Sequence, residues 1–313
     1  MSFGNQWRVH GLMILVVSSW GMAWAVGRIL ALGLPPMTGA WLRYILTMVL
    51  FYAWFTGRAL KGYEVNWLPS GRKTWRTLTL IALTGVLGYQ IFFMNGMRFT
   101  AAGDASLIIT FNPIFTVLLA APMLGQQISR KMFVGLFCGF IGVGVVTGWS
   151  PNTDIPFEDR ILGDLMILLA SLNWAMTTNN TKRMMEQRNS EQKATTLEIV
   201  VWYSLIGTVL LTPLAAWETW QYGIPEPTLT DWYAIFYLAA ISTVLAYYWF
   251  AIGVEKLGAT AASSYIFLMP VFGVLGGVIL LDENIGWTLL LGFILIVIGV
   301  RVVQRESEAL RTA

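Results

Sequence analysis

A chain of 313 residues with 56% apolar and only 12% charged side chains lies far from soluble domains, in which about 25% of residues are charged. That much apolar surface cannot be hidden from water, and the composition becomes ordinary only if the outside of the protein meets lipid. A net charge of +3, one cysteine and one histidine leave no footing for a nucleic-acid partner, a disulfide framework or a Cys/His metal centre, so the expected partners are the lipid bilayer and a small-molecule substrate, with no cofactor.

The N-terminus carries Arg8, an apolar run and then Ala23-Trp24-Ala25, which imitates a secretory cleavage signal. The run continues to Leu34, so it is read as a retained first helix, with His10 at its membrane interface. Runs of the roughly 20 apolar residues that a spanning helix needs fall at about 9–32, 38–56, 77–98, 103–124, 130–149, 161–183, 195–217, 230–252, 259–281 and 286–303. No barrel-like alternation is visible, and in lipid only helices or closed barrels satisfy their own backbone. The expected fold class is an all-α membrane protein of ten transmembrane helices.

Taken in order, the first helix carries Trp20, Trp24 and, near its end, Arg28; the second carries Arg43. A cation inside a span is costly, which makes Arg43 a functional candidate, against the alternative that it snorkels to the interface. The third holds Tyr89, Gln90 and Phe93, and the fourth opens on Asp104 and holds Asn112 and Pro113. A carboxylate at a helix N-terminus favours the helix dipole; Asp104 is also open to pairing with Arg28 or Arg43. Glu198 opens the seventh helix in the same way. The fifth contains Cys138, read as a packing residue, among Gly135, Gly139 and Gly142; with Gly273 and Gly277 these glycines have the spacing that lets helices approach closely, within one chain or in a homodimer. The sixth holds Asn173, Trp174 and Lys182, the eighth Tyr247, Tyr248 and Trp249, and the ninth Tyr265 and Pro270. The rings and buried amides would together line a cavity suited to an amphiphilic small molecule.

The loop charges orient the chain. With the N-terminus inside, 16 of the 20 Lys and Arg residues lie in or beside inner loops, and only Arg28, Arg43, Arg98 and Arg160 lie towards the outside. Both termini are therefore expected in the cytoplasm. The chain also repeats itself. At an offset of 157 residues Pro113 meets Pro270, Phe93 meets Phe250, Gly96 meets Gly253, Ala105-Ser106 meets Ala262-Ser263, Phe115 meets Phe272, Ile128 meets Ile285, Gly135 meets Gly292 and Gly142-Val143 meets Gly299-Val300. Trp20 pairs with Trp174, and Arg28 with Lys182, at an offset of 154. Two halves, 1–150 and 151–313, follow. Each has five spans, an odd number, so the second half is inverted. Inverted repeats are a common design for alternating access, with the binding region where helices break in corresponding places. Pro113 and Pro270, each removing a backbone donor mid-helix, are the expected kinks and hinges. Arg28 and Lys182, near opposite faces, are candidate gates.

Trp20-Gly21, Arg43, the pattern Asn112-Pro113-Ile114-Phe115 with Leu124-Gly125, and its echo Met269-Pro270-Val271-Phe272 with Asp282-Glu283-Asn284-Ile285 carry a resemblance. Over nearly the whole chain the sequence resembles the EamA family of the drug/metabolite transporter superfamily. The resemblance implies a ten-helix fold and export of small metabolites from a bacterial inner membrane, amino acids above all, as in YddG-type exporters of aromatic amino acids. The acidic residue usual after the fourth and ninth helices is present as Glu283, and Gln126 stands at the first-half position.

The leading expectation is a secondary exporter of aromatic or other hydrophobic amino acids, monomeric or homodimeric. A nucleotide-sugar or similar metabolite or drug carrier is the alternative within the superfamily; a channel or a membrane-embedded enzyme is the alternative outside it. Neither a catalytic nor a metal-binding constellation is expected: no phosphate-binding loop occurs, and Gly71-Arg72-Lys73-Thr74 lacks the first glycine of one.

Overall fold

The computed structural model describes residues 3–124, 129–186, 195–258, 262 and 265–312. Gln126, Ile128, Arg188, Lys193 and Ser263 lie outside them. Among the described residues all regular structure is helical: α1 (Phe3–Gly33), α2 (Pro36–Leu60), α3 (Arg72–Phe99), α4 (102–124), α5 (Arg130–Gly148), α6 (Phe157–Glu186), α7 (Thr196–Tyr222), α8 (Leu229–Leu257), α9 (Tyr265–Leu281) and α10 (Trp287–Thr312). Eight of these are long and apolar enough to cross a membrane; α9 is a shorter apolar helix, and α2, 25 residues long with Arg43 in its midst, is outside that set. At about 1.5 Å per residue, helices of 27 to 30 residues such as α3, α6, α7 and α8 exceed the ~30 Å hydrocarbon thickness. The chain is a multi-pass membrane protein.

The helix ends show why the segments begin and stop where they do. Thr195 and Glu198 form a capping box on α7, and Thr228 and Asp231 form one on α8. Pro36 opens α2, where its missing N–H costs nothing. The first turn of α2 is instead capped from far along the chain. Glu218 at the end of α7 accepts from Met37 N (3.0 Å), Thr38 N (2.8 Å) and Thr38 Oγ1 (2.9 Å).

Four helices are not regular throughout. α3 passes through a π turn at Leu83–Gly88 and α8 through one at Tyr237–Leu245. α4 tightens to a 3-10 turn at Ile109–Phe111, just before Pro113, and α9 begins with one at Tyr265–Leu268, just before Pro270. The two prolines therefore sit in the first turn after a 3-10 segment, where the absent N–H would have bonded back.

Packing follows a definite pairing. α5 lies along α10, α2 along α7, and α4 along α9. α1 packs on α8 and α9, while α6 packs on α3 and α4; α2 also touches α8, and α3 touches α7. The α5–α10 contact is made backbone to backbone. A Cβ on Gly135 would stand 2.7 Å from the Gly299 carbonyl, and one on Gly142 would stand 2.7 Å from that of Gly292. The small-residue spacing in α5 thus serves a contact within the chain. Gly273 fits against Ser106 of α4, and Gly277 against Glu283.

Candidate functional site

Arg43 of α2 reaches inward. Its Nη2 donates to Thr243 Oγ1 of α8 at 3.3 Å, its guanidinium lies 5.2 Å over the Tyr44 ring, and its Nε is buried with no hydrogen-bond partner among the described residues. Thr243 is positioned by the π turn, in which its own hydroxyl donates back to Leu238 O at 2.7 Å. Tyr89 of α3, Tyr203 of α7 and Tyr247 of α8 all lie within electrostatic reach of the same guanidinium, as does Tyr44 of the others. Four helices thus bring one cation and four phenols together. In a low-dielectric interior such a cation is tolerable only among hydroxyls and ring faces that replace its water, and an incompletely satisfied guanidinium remains a strong donor for a carboxylate.

Rings extend from this centre in two directions. Tyr89 stacks on Phe93 (5.5 Å between centroids) and tilts against Trp174 of α6 (5.5 Å), and Phe93 meets Trp24 of α1 edge-on at 5.3 Å. On the other side Tyr247 meets Trp20 of α1 at 5.5 Å, and Trp20 also contacts Phe250 at 5.3 Å while its Nε1 donates to Ser242 O. Gln90, 1% exposed, has an Oε1 without a hydrogen-bond partner among the described residues. The structure therefore joins Trp20, Trp24, Arg43, Tyr89, Phe93, Trp174 and Tyr247. Asn173 and Asn112 serve backbone contacts: Asn173 Nδ2 donates to Leu169 O, and Asn112 Nδ2 to Ser171 O of α6. Tyr248 lies apart, 39% exposed against Trp54. Trp249 is half-buried on the same helix, and Tyr265 hydrogen-bonds His10 near the start of α1.

A second polar group closes one end of the bundle. Asp282 adopts φ 54°, a left-handed turn that Asp tolerates better than most residues. It swings Glu283 back so that its carboxylate accepts from Ala102 N (2.6 Å) and Gly103 N (2.8 Å) at the start of α4. Arg28 of α1 stands 3.9 Å from Glu283 and donates to Met97 O of α3 at 3.1 Å. Beside them Asp104 and Asp164 are fully or almost fully buried. Asp104 accepts from Asn152 Nδ2 at 3.4 Å, Asp164 accepts from Thr100 Oγ1 at 2.5 Å, and Arg160 donates to Ser150 O and Asn152 O. Asp104 is therefore grouped with Arg28, not with Arg43. Lys182 is half-buried near the far end of α6.

Sequence reasoning singled out Arg43 but missed Tyr44, Tyr203, Thr243, Asp164 and Glu218. Asp164 and Glu218 carried a signal, being carboxylates inside or at the end of apolar runs. The tyrosines and Thr243 carried none.

Comparison with known proteins agrees with this architecture. The EamA-like transporter family matches residues 7–148 and again 161–305. The chain belongs to that family. Among its relatives, the probable amino-acid metabolite efflux pump of Escherichia coli (strain K12) is 25% identical over 93% of both chains, and that of Salmonella typhimurium is 26% identical over 96% of both. The uncharacterized transporter YyaM of Bacillus subtilis is 26% identical over 200 residues, so the match spans 64% of each chain. A crystal structure at 18% identity superposes with a TM-score of 0.58 over 95% of this chain and 98% of its own, a likeness of fold. Family and relatives point to a transporter, not an enzyme.

Proposed function

We propose that the protein exports amino acids, aromatic or otherwise hydrophobic, across a bacterial inner membrane by alternating access. The observation that carries this reading is Arg43, half-buried beside four tyrosines, its buried Nε without a hydrogen-bond partner among the described residues, in a centre flanked by Trp20, Trp24, Phe93 and Trp174. A guanidinium suits an α-carboxylate, and rings suit an apolar side chain. A phosphate-bearing sugar would call for several convergent cations, and here one stands at the centre.

All ten helices cross the membrane in this reading, with both termini cytoplasmic and 1–150 and 151–313 as inverted halves. The packing supports it. The α1 contacts with α8 and α9 have their counterparts in α6 with α3 and α4, and α2–α8 has its counterpart in α7–α3. The π turns of α3 and α8 and the 3-10 turns of α4 and α9 also fall in corresponding places. The Arg28–Glu283 group then closes the outer end.

The test is purified protein in liposomes loaded with labelled amino acids, with and without a pH gradient. Efflux of aromatic or large apolar amino acids is expected, and a rate unchanged by the gradient would assign facilitated export. If no amino acid moves in either condition, the substrate assignment fails.

A further inference from the structure

Away from the aromatic centre, a cavity of about 690 Å³ opens between the start of α3 and the end of α6. Arg72, Lys73 and Arg76 line it from α3, and Arg183 with Asn180 from α6. Among the described residues none of these four cations forms an ion pair with a carboxylate. They stand together at an end of α3 where the dipole favours anions and Gly71 supplies no side-chain cap. The three α3 cations oppose that dipole, whereas Arg183, in the last turn of α6, is favoured by its own helix; an anion between them would relieve the repulsion of the α3 cations.

The helix faces say which kind of anion. Arg76 lies on one stripe with Leu80 and Leu83, which are 53% and 38% exposed. Arg183 and Asn180 lie on the α6 face that leads, at steps of three and four residues through Met176 and Asn173, to Leu169, which is 42% exposed. In a multi-pass membrane protein, exposed leucines meet acyl chains. The basic cavity is therefore the polar terminus of two adjoining helix faces that carry exposed leucines. A free anion would use the cations and leave the leucines unused; a phospholipid uses both.

We infer that this cavity binds the headgroup of an anionic phospholipid, with its acyl chains lying along Leu80, Leu83 and Leu169. Basic pockets between spanning helices are suited to such headgroups. The inference rests on the chain's being a membrane protein and not on which substrate it carries.

The test uses the full chain in neutral detergent, titrated with phosphatidylglycerol or with phosphatidylcholine of the same chains, and bound lipid counted by native mass spectrometry. Phosphatidylglycerol is expected to be retained in strong preference, and the preference to weaken with salt. The double substitution Arg76→Ala/Arg183→Ala should lower that retention about 30-fold, while Arg76→Lys/Arg183→Lys keeps most of it. Equal retention of the two lipids by the native protein overturns the inference, and so does undiminished retention by a folded double-alanine variant. Inorganic phosphate is the control for a free anion. If it raises the melting temperature as phosphatidylglycerol does, the site takes an anion without tails and the lipid assignment fails. Should the double-alanine variant not fold, the lipid preference of the native protein and its salt dependence decide alone.

Discussion

Arg43 concentrates the chemistry of the molecule in one residue. Its charge stands within α2, and its visible anchors are one 3.3 Å hydrogen bond to Thr243 and the Tyr44 ring. If it receives the substrate carboxylate, Arg43→Ala should abolish the bound-substrate contact, worth about 1.5–3 kcal/mol for a hydrogen bond to a charged group. Initial efflux at sub-saturating substrate should then fall roughly tenfold to a hundredfold. Arg43→Lys keeps the charge and loses the fork, so an intermediate rate is expected, with the loss mainly in apparent affinity. Full activity in both variants would assign Arg43 a purely structural place. Tyr203→Phe is the companion measurement. It removes one hydroxyl near the guanidinium and keeps the ring, so substrate affinity should drop while the melting temperature barely changes.

At the scale of the helix, stability is set by a few contacts between distant segments. Glu218 holds three donors at the start of α2. Glu218→Gln keeps the shape but removes the charge and one acceptor, so a loss of about 1.5–3 kcal/mol is expected, read as a lower melting temperature in detergent. At the α5–α10 crossing a side chain has no room. Gly142→Val should cost about 1–3 kcal/mol or more, because the new Cβ would meet a carbonyl that belongs to a backbone and cannot yield. These positions also mark what could be read beforehand. Helix locations were legible because a spanning helix announces itself by composition, and Gly135 and Gly142 were legible as packing residues because close approach demands glycine. The partner helix was not, since lipid-facing and core-facing sides are equally apolar and periodicity carries little information. The π turns were hidden for a related reason. An extra residue in an apolar helix leaves no mark in residue types, yet it rotates everything beyond it. Tyr89 follows directly after the first π turn and Tyr247 comes two residues after the end of the second, so their facing Arg43 could not be derived from spacing. Glu283 was visible as a family feature; its role in capping α4 was not, because that depends on the left-handed turn at Asp282.

For the whole molecule, the question is whether the end sealed by Arg28, Glu283, Asp104 and Arg160 must open. Its seal is polar and therefore reversible. Charge-assisted hydrogen bonds can exchange for water when the end is exposed, whereas the glycine-packed α5–α10 contact has no such substitute and should move as one body. Alternating access requires α4 and α9 to separate at this end in each cycle. A Cβ on Gly103 would lie 3.7 Å from Val274 Cα, close enough for a disulfide between cysteines at the two positions. Cys138 is the chain's single cysteine, so Cys138→Ala supplies a background without competing thiols. In that background Gly103→Cys/Val274→Cys should transport when reduced, stop when oxidised, and recover on addition of dithiothreitol. Each single-cysteine variant should ignore the oxidant. Continued transport by the fully cross-linked protein would mean that the passenger leaves by another route and that the Arg28–Glu283 group is a structural clasp.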